Sequence, residues 1–460
     1  MISRDEALRR LLAAGQAHVL RFYDQLDADA QAALLAQVEQ LDLAWLDWVW
    51  RRTPDPILPE EITPYGEVIL EDDPGGRLAW REGEQALRDG RVGSLLVAGG
   101  QGTRLGFAGA KGAFVVGAVS GRTLYQVHAE RLVALGRRYG VVPPLYLMTS
   151  DANHAETVEL FARRGNFGLP AERVLIFQQH LAPAVDEHGK LLLEAPGRLV
   201  WAPNGNGGLF AAMRDAGALA HMERCGVDTV SYIQVDNPLS LSCDPRFVGY
   251  HLLRGSHFSC KAIRKSHPQE RVGAYARVRG RLCVVEYTEI SEAMATARDA
   301  AGELLYAYSN PGLFVWSRAF VEAQAGRKDL PFHKAHKKIP HLDEQGRLVE
   351  PAVPCAYKLE SFAMDTLPDA ERSLVLACDR DAEFAPVKNA TGADSPETAR
   401  ALMTRLYGGW IERAGGRVAD PRARIEISPL FALDAEELAV RLPAGFVVDR
   451  DLFLGDVQVP

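Results

Sequence analysis

Residues 95–112 read Leu-Leu-Val-Ala-Gly-Gly-Gln-Gly-Thr-Arg-Leu-Gly-Phe-Ala-Gly-Ala-Lys-Gly, an apolar strand running straight into a glycine-rich loop that carries two cations. This pattern demands a buried strand whose tip opens onto a ligand. Gly99, Gly100 and Gly102 can take positive φ there and let backbone N–H groups approach phosphate oxygens, which a Cβ would obstruct. Arg104 and Lys111 supply the charge, so the loop reads as a triphosphate cradle. It lacks the Gly-Lys-Ser/Thr ending of a P-loop, and its glycines miss the G-x-G-x-x-G spacing of a dinucleotide turn.

After this strand, apolar runs alternate with amphipathic stretches. Strands are predicted at residues 94–98, 144–149, 173–177 and 229–235, and helices at 123–139, 154–164 and 208–224. Such alternation implies βαβ units, a parallel sheet and an α/β fold, with ligands gathering beyond the carboxyl ends of the strands. Ahead of it, residues 1–90 form a helical N-terminal region. Ser3 and Glu6 make a capping-box pattern, Asp27 or Asp29 caps a second helix, and Leu34, Leu35, Val38 and Leu41 share one face. Residues 53–76, with Pro54, Pro56, Pro59, Pro64 and Pro74, suit a connecting segment draped over the surface. Residues 91–385 form the main domain. Beyond about residue 390 the signals weaken into turns with short apolar pieces at 425–427 and 446–448, so residues 386–460 form a small C-terminal domain.

A chain of 460 residues with 47% apolar content buries a sizeable core, and a net charge of −8 argues against a broad nucleic-acid or anionic-membrane surface. The partner is a small molecule. The six cysteines include no Cys-x-x-Cys pair and favour reduced thiols over disulfides or zinc. No apolar run is long enough to span a bilayer, and the N-terminus lacks a basic region followed by an apolar stretch. A cytoplasmic protein is expected, in which the Asn389-Ala390-Thr391 sequon stays unmodified.

Further constellations follow other strands. Ala202-Pro203-Asn204-Gly205-Asn206-Gly207-Gly208 opens a helix whose N–H groups suit a phosphate or a sugar hydroxyl, although a plain turn capped by Asn206 accounts for it equally well. Asp236 ends an apolar run, with Asn237 beside it. It suits Mg²⁺, which takes one or two carboxylates while phosphates and water fill its other positions. A turn-forming Asp-Asn-Pro is the simpler account without a nucleotide. Glu286 sits in what reads as a strand, where a carboxylate needs a partner such as vicinal sugar hydroxyls; a rim position on an edge strand is the alternative. Lys358 and Lys388 read by default as surface lysines. His333, Lys334, His336, Lys337 and Lys338 read as a solvated loop, since no Glu completes a His-Glu-x-x-His motif. No Gly-x-Ser-x-Gly elbow appears and no cysteine sits in a nucleophile signature, so covalent catalysis is not indicated.

Together these residues resemble the eukaryotic-type UDP-sugar pyrophosphorylases, and among them the UDP-N-acetylglucosamine pyrophosphorylases most closely. The resemblance rests on the glycine loop, Phe177-Gln-Gln179, Pro203-Asn-Gly-Asn-Gly-Gly208, Gln234-Val-Asp-Asn237, Val285-Glu-Tyr-Thr-Glu289 and Pro386-Val-Lys-Asn389, which agree in order and spacing over residues 90–415. It implies a Rossmann-like, mixed, mostly parallel sheet of the nucleotidyltransferase (glycosyltransferase-A-like) type, with the helical N-terminal and small C-terminal additions.

It also implies roles. Ala98, Gly99 and Gly100 line the nucleotide, Arg104 and Lys111 grip the triphosphate, and Gln179 and Gly205 read the uracil. Asp236 holds Mg²⁺. Asn206, Glu286, Tyr287 and Asn310 face the sugar, Lys358 reaches the nucleotide phosphates, and Lys388 binds the sugar phosphate. The implied substrates are UTP and a sugar 1-phosphate, N-acetylglucosamine 1-phosphate being favoured by Gln101. Glucose, galactose or N-acetylgalactosamine 1-phosphate is the near alternative, and a non-catalytic nucleotide-binding regulator the distant one. Two positions depart from the family pattern: Ala110 stands where proline is usual before the loop lysine, and Asn204 where an acid is usual.

Overall fold

The four expected strands form at Val92–Val97, Leu145–Thr149, Val174–Gln178 and Thr229–Gln234, and they lie side by side as a parallel run in a mixed sheet that has 12 strands among the described residues. Their order is 229–234, 92–97, 145–149, 174–178. On the other side the sheet continues antiparallel through Phe314–Ser317 to Phe258–Arg264, which in turn pairs in parallel with Ser373–Ala377. In the computed structural model, residues 2–52 and 57–456 are described, and they divide into two compact units.

The sheet belongs to the larger unit, residues 57–178, 210–325 and 367–456. Register fixes what happens at its strand tips. Ile233 pairs with Leu96 and Gln234 with Val97, and the Val235 N–H still reaches the Val97 carbonyl at 3.0 Å. Both chains therefore leave the sheet at the same level, so the glycine loop and Asp236 emerge together at the carboxyl ends, where open α/β sheets place their ligands.

The predicted helices form at Leu124–Tyr139, capped by Thr123, and at His154–Arg163. The one expected at 208–224 is two, Leu209–Asp215 and Ala218–Cys225, because Gly217 takes φ +75° and breaks the run. The connecting segment is not merely draped over the surface. Ile62–Pro64 pairs with Ala274–Val278, and Val68–Ile69 with Ser373–Ala377, so two of its pieces become strands of the large sheet; Pro54 and Pro56 lie outside the described residues. The C-terminal stretch contains an 18-residue helix, Pro396–Arg413. Its capping box at Ser395 and Thr398 and its N-terminal proline were the available signals.

The smaller unit comprises residues 2–52, 179–209 and 326–366. Helices Arg4–Ala13 and Ala28–Gln40 are capped by Ser3 and Asp27, and Leu11, Leu34 and Val38 pack with Val185, Leu193, Leu199 and Leu359 into its core. The histidine-lysine stretch is not a loop. His333–Lys337 is a strand paired with Ala356–Glu360, its side chains half-buried or exposed, and His333 bonds Asp365 at 2.9 Å.

In the larger unit Lys261 is 1% exposed, held by Asp244 at 2.7 Å and in direct contact with Glu383. Burial disfavours its charge, but the two carboxylates outweigh this and raise its pKa above the ordinary lysine value. Lys261→Met should cost about 3 kcal/mol in stability, because two buried acids lose the ammonium they bond directly and keep only the more distant charge of Arg131. Urea unfolding checks it, and an unchanged midpoint would contradict the account.

His251, on helix Pro245–Leu253, is 2% exposed and shares a hydrogen bond of 2.8 Å with the Ser259 hydroxyl. Burial, with a smaller contribution from His257, pushes its pKa down to about 3. The unfolded chain then binds the extra proton below pH 6.5, so stability from this residue is complete above pH 6.5 and drains away as pH falls toward 3. Between pH 7 and pH 5 wild-type protein should lose on the order of 2 kcal/mol that His251→Gln does not lose. Urea midpoints at the two pH values measure it; equal losses would remove His251 from the acid sensitivity.

Candidate active site

The loop is built differently from the sequence expectation. Gly99, Gly100 and Gly102 do not take positive φ; the left-handed and extended-positive positions are Gly106, at +69°, and Gly109, at +143°. Gly102 has φ −80°, and its need for glycine is spatial, since a Cβ there would lie 2.7 Å from the Phe107 ring. The Gly102 N–H closes on the Gly109 carbonyl at 3.0 Å and the Lys111 N–H on the Gly100 carbonyl at 3.1 Å, which pins both ends of the loop. Arg104 lies exposed in the short turn Thr103–Leu105 between them.

Lys111 points to the strand tip. Its Nζ donates to Asp236 Oδ2 at 3.2 Å, both side chains being largely buried. Gly112 directly after it leaves the space that the Tyr125 ring fills, since a Cβ would lie 2.2 Å from ring atoms.

The Asp236 carbonyl accepts from the Val387 N–H at 2.8 Å, so the segment bearing Lys388 is tied to the same tip. Asn237 secures that segment further, donating to the Glu383 carbonyl at 2.7 Å and accepting from the Ala385 N–H at 3.0 Å. Its role is thus structural. Lys388 is half-exposed, 3.8 Å from Asp394 and 5.7 Å from the Phe384 ring centroid.

A second group gathers at another part of the same sheet. Glu286 is not inside a strand; it follows directly on Arg281–Val285, which is why its carboxylate escapes burial among β-branched neighbours. Gly273 brings it beside Asn310. A Cβ on Gly273 would lie 3.3 Å from Glu286 Oε1, and the Gly273 carbonyl accepts from the Asn310 N–H at 2.9 Å. Asn310 Oδ1 also accepts from the Tyr275 hydroxyl at 3.1 Å and from the Gly312 N–H at 2.8 Å. Tyr287 is 45% exposed.

The smaller unit holds the remaining residues. Gly205 takes φ +81°, and a Cβ there would lie 2.2 Å from the Ser361 carbonyl oxygen, so only glycine fits. Asn206 is not a helix cap; its Oδ1 accepts from the Ala363 N–H at 2.9 Å. The Gly207 N–H meets the Ser361 carbonyl at 2.8 Å. The second glycine cluster is therefore laced to residues 361–363, three positions beyond Lys358, which lies half-buried in strand Ala356–Glu360. Gln179 is half-buried next to His180, whose carbonyl accepts from the Asn204 N–H at 3.2 Å.

Sequence reading missed the residues that hold the loop in place. Asn153, 1% exposed, donates to the carbonyls of Ala98 at 2.9 Å and Gly100 at 3.2 Å. Gln101 Nε2 donates to the Ala152 carbonyl, and the Ala110 N–H donates to Glu156 Oε2, each at 2.9 Å. Their signal was present in Ser150-Asp-Ala-Asn153, a turn-forming cluster just past the strand Leu145–Thr149.

The chain is similar to known proteins over most of its length. The profile of the family described as UTP--glucose-1-phosphate uridylyltransferase matches residues 55–438. The chain is 38% identical to the human UDP-N-acetylhexosamine pyrophosphorylase-like protein 1, over 96% of this chain and 95% of that protein. It is 34% identical to UDP-N-acetylglucosamine diphosphorylase 2 of Arabidopsis thaliana, over 94% and 90%. Among solved structures it is similar to the uridine diphosphate N-acetylglucosamine pyrophosphorylase of Trypanosoma brucei, with a TM-score of 0.82, 29% identity and coverage of 98% and 99%. With 94–98% of its length aligned to these proteins and the family profile matching residues 55–438, the chain belongs to the UTP--glucose-1-phosphate uridylyltransferase family of nucleotidyltransferases.

Proposed function

We propose that the protein transfers uridylyl groups from UTP to N-acetylglucosamine 1-phosphate, forming UDP-N-acetylglucosamine and pyrophosphate. The observation that carries this reading is the meeting of Lys111, Asp236 and the segment before Lys388 at one sheet edge. The chain's similarity to UDP-N-acetylglucosamine diphosphorylase 2 and to the uridine diphosphate N-acetylglucosamine pyrophosphorylase supports the acetylated sugar.

The phosphate oxygen of the sugar 1-phosphate attacks the α-phosphorus of UTP in line with the departing pyrophosphate. Positioning and neutralisation are the protein's tasks, and no general base is needed, because a phosphate monoester is already ionised at neutral pH. Arg104 and Lys111 hold the triphosphate, Ala98, Gly99 and Gly100 line the nucleotide, and Lys388 guides the incoming phosphate. Gln179 and Gly205 contact the base, Lys358 the nucleotide phosphates, and Asn206, Glu286, Tyr287 and Asn310 the sugar.

Among the described residues, no group of three or more His, Cys, Asp or Glu side chains could hold a metal. A lone strand-tip carboxylate, bonded by the Lys111 ammonium, suits a cation taking a single carboxylate from the protein and its other ligands from phosphate and water, as magnesium does. Asp236 is the carboxylate that would hold it. When bound, magnesium would offset charge on the triphosphate. A cytoplasmic setting completes the reading, supported by six free cysteines; no helix among the described residues is long and apolar enough to cross a membrane.

Pyrophosphate release measured with UTP, magnesium and each sugar 1-phosphate in turn tests the proposal. The highest kcat/KM is expected with N-acetylglucosamine 1-phosphate. A clear preference for glucose 1-phosphate would move the substrate assignment, and no release with any sugar would remove the enzymatic reading.

A further inference from the structure

Lys111 can hold a phosphate in place only if the backbone on which it is mounted stays put, and the residue just before it is fastened from outside the loop. Ala110 is fully buried, and its N–H donates to Glu156 Oε2 at 2.9 Å. The same carboxylate lies against Gly109, where a Cβ would sit 2.7 Å from Oε1. Glu156 stands in the first turn of helix His154–Arg163, from whose leading end Ala152 and Asn153 hold Gln101, Ala98 and Gly100. The start of the loop is thus held by neutral groups, whereas its far end, beside Lys111, is held by a charged acceptor.

We propose that Glu156 is a positioning residue for Lys111, acting through the peptide between Gly109 and Ala110; the proposal rests on the reading that Lys111 grips the triphosphate. Without an acceptor, the buried Ala110 N–H turns toward water to find one, and the lysine that follows swings with it. Ala110 has φ −60°, the value a proline ring enforces, with a ψ of 128° that proline also adopts, and a proline there has no N–H to satisfy. This chain has alanine at 110 and a carboxylate to match it; a proline would make the carboxylate unnecessary. Glu156 and residue 110 form one device.

Steady-state kinetics with varied UTP on Glu156→Ala, Glu156→Gln and the double variant Glu156→Ala/Ala110→Pro tests this, with Lys111→Ala alongside. Glu156→Ala should lower kcat/KM for UTP on the order of tenfold while its thermal midpoint stays near that of the wild type. Glu156→Gln, whose amide oxygen still accepts, should keep most of the activity. The double variant should recover most of what Glu156→Ala loses, since the smaller side chain leaves room for the ring and the ring removes the orphaned donor. A Glu156→Ala enzyme of wild-type activity overturns the proposal, as does a loss that proline at 110 does not restore. Full activity in Lys111→Ala instead overturns the reading of the lysine itself, and the positioning role with it; an inactive Lys111→Ala beside a fully active Glu156→Ala sinks the positioning role alone.

Discussion

Lys111→Ala should lower kcat on the order of a thousandfold while the protein folds normally. The side chain is not part of the apolar core; it crosses the space between the loop and the strand tip, 17% exposed, to reach Asp236 at 3.2 Å. In the proposed reaction a cation fixed there is aimed at charge that moves onto the departing pyrophosphate. Removing one such preorganised group from a reaction that relies on neutralisation costs two to three orders of magnitude, about 3–4 kcal/mol in the barrier. Loop geometry survives the change, because the Lys111 N–H to Gly100 bond is made by backbone and the Tyr125 ring still packs on Gly112. Circular dichroism and thermal unfolding should therefore match the wild type while pyrophosphate release nearly vanishes. Turnover within a few-fold of wild type would take the lysine out of the chemistry.

Asp236→Asn should have a loss of similar size, on the order of a thousandfold at fixed magnesium, accompanied by a rise in the magnesium concentration needed for half-maximal rate. An amide keeps the shape and one oxygen but gives up the charge that a hard divalent cation requires. The Asp236 contact with Val387 runs through its backbone carbonyl, so the segment carrying Lys388 keeps its anchor in the variant. A drop caused by a misplaced Lys388 would appear as a raised KM for the sugar phosphate, with magnesium dependence unmoved. That pattern would contradict a metal role for Asp236.

What could be read in advance followed the strength of the local signal. The four parallel strands and the helices at Leu124–Tyr139 and His154–Arg163 carry long apolar periodicity and clear ends, with Thr123 before one and Gly140 and Gly165 after them. The strands Ile62–Pro64 and Val68–Ile69 are three and two residues long. Pairing with a distant strand, rather than any pattern of their own, makes them strands, so proline punctuation dominated the reading. In helix Pro396–Arg413 the adjacent Gly408 and Gly409 dilute an otherwise helical run, and packing on Ile425 and Val418 compensates. At the site, residue types betrayed the cradle, but the φ of each glycine depends on what presses against it, as Phe107 does on Gly102. Asn153 and Glu156 escaped notice because they act on backbone groups of another segment, a relation that only the folded register of Leu145–Thr149 beside Val92–Val97 creates.

The Glu426 carboxylate, on the C-terminal strand Ile425–Ile427, takes the N–H groups of Val119 and Ser120, each at 3.0 Å, and Arg400 holds the carbonyls of Val115 and Val116. The turn that follows Lys111 is thus completed by residues that leave the ribosome about three hundred positions after it. A nascent or prematurely stopped chain can contain every glycine and both cations of the cradle and still lack a finished one. A chain that stops before Arg400 leaves the backbone of residues 115–120 without these four hydrogen bonds, so the segment behind the loop depends on residues far downstream of it.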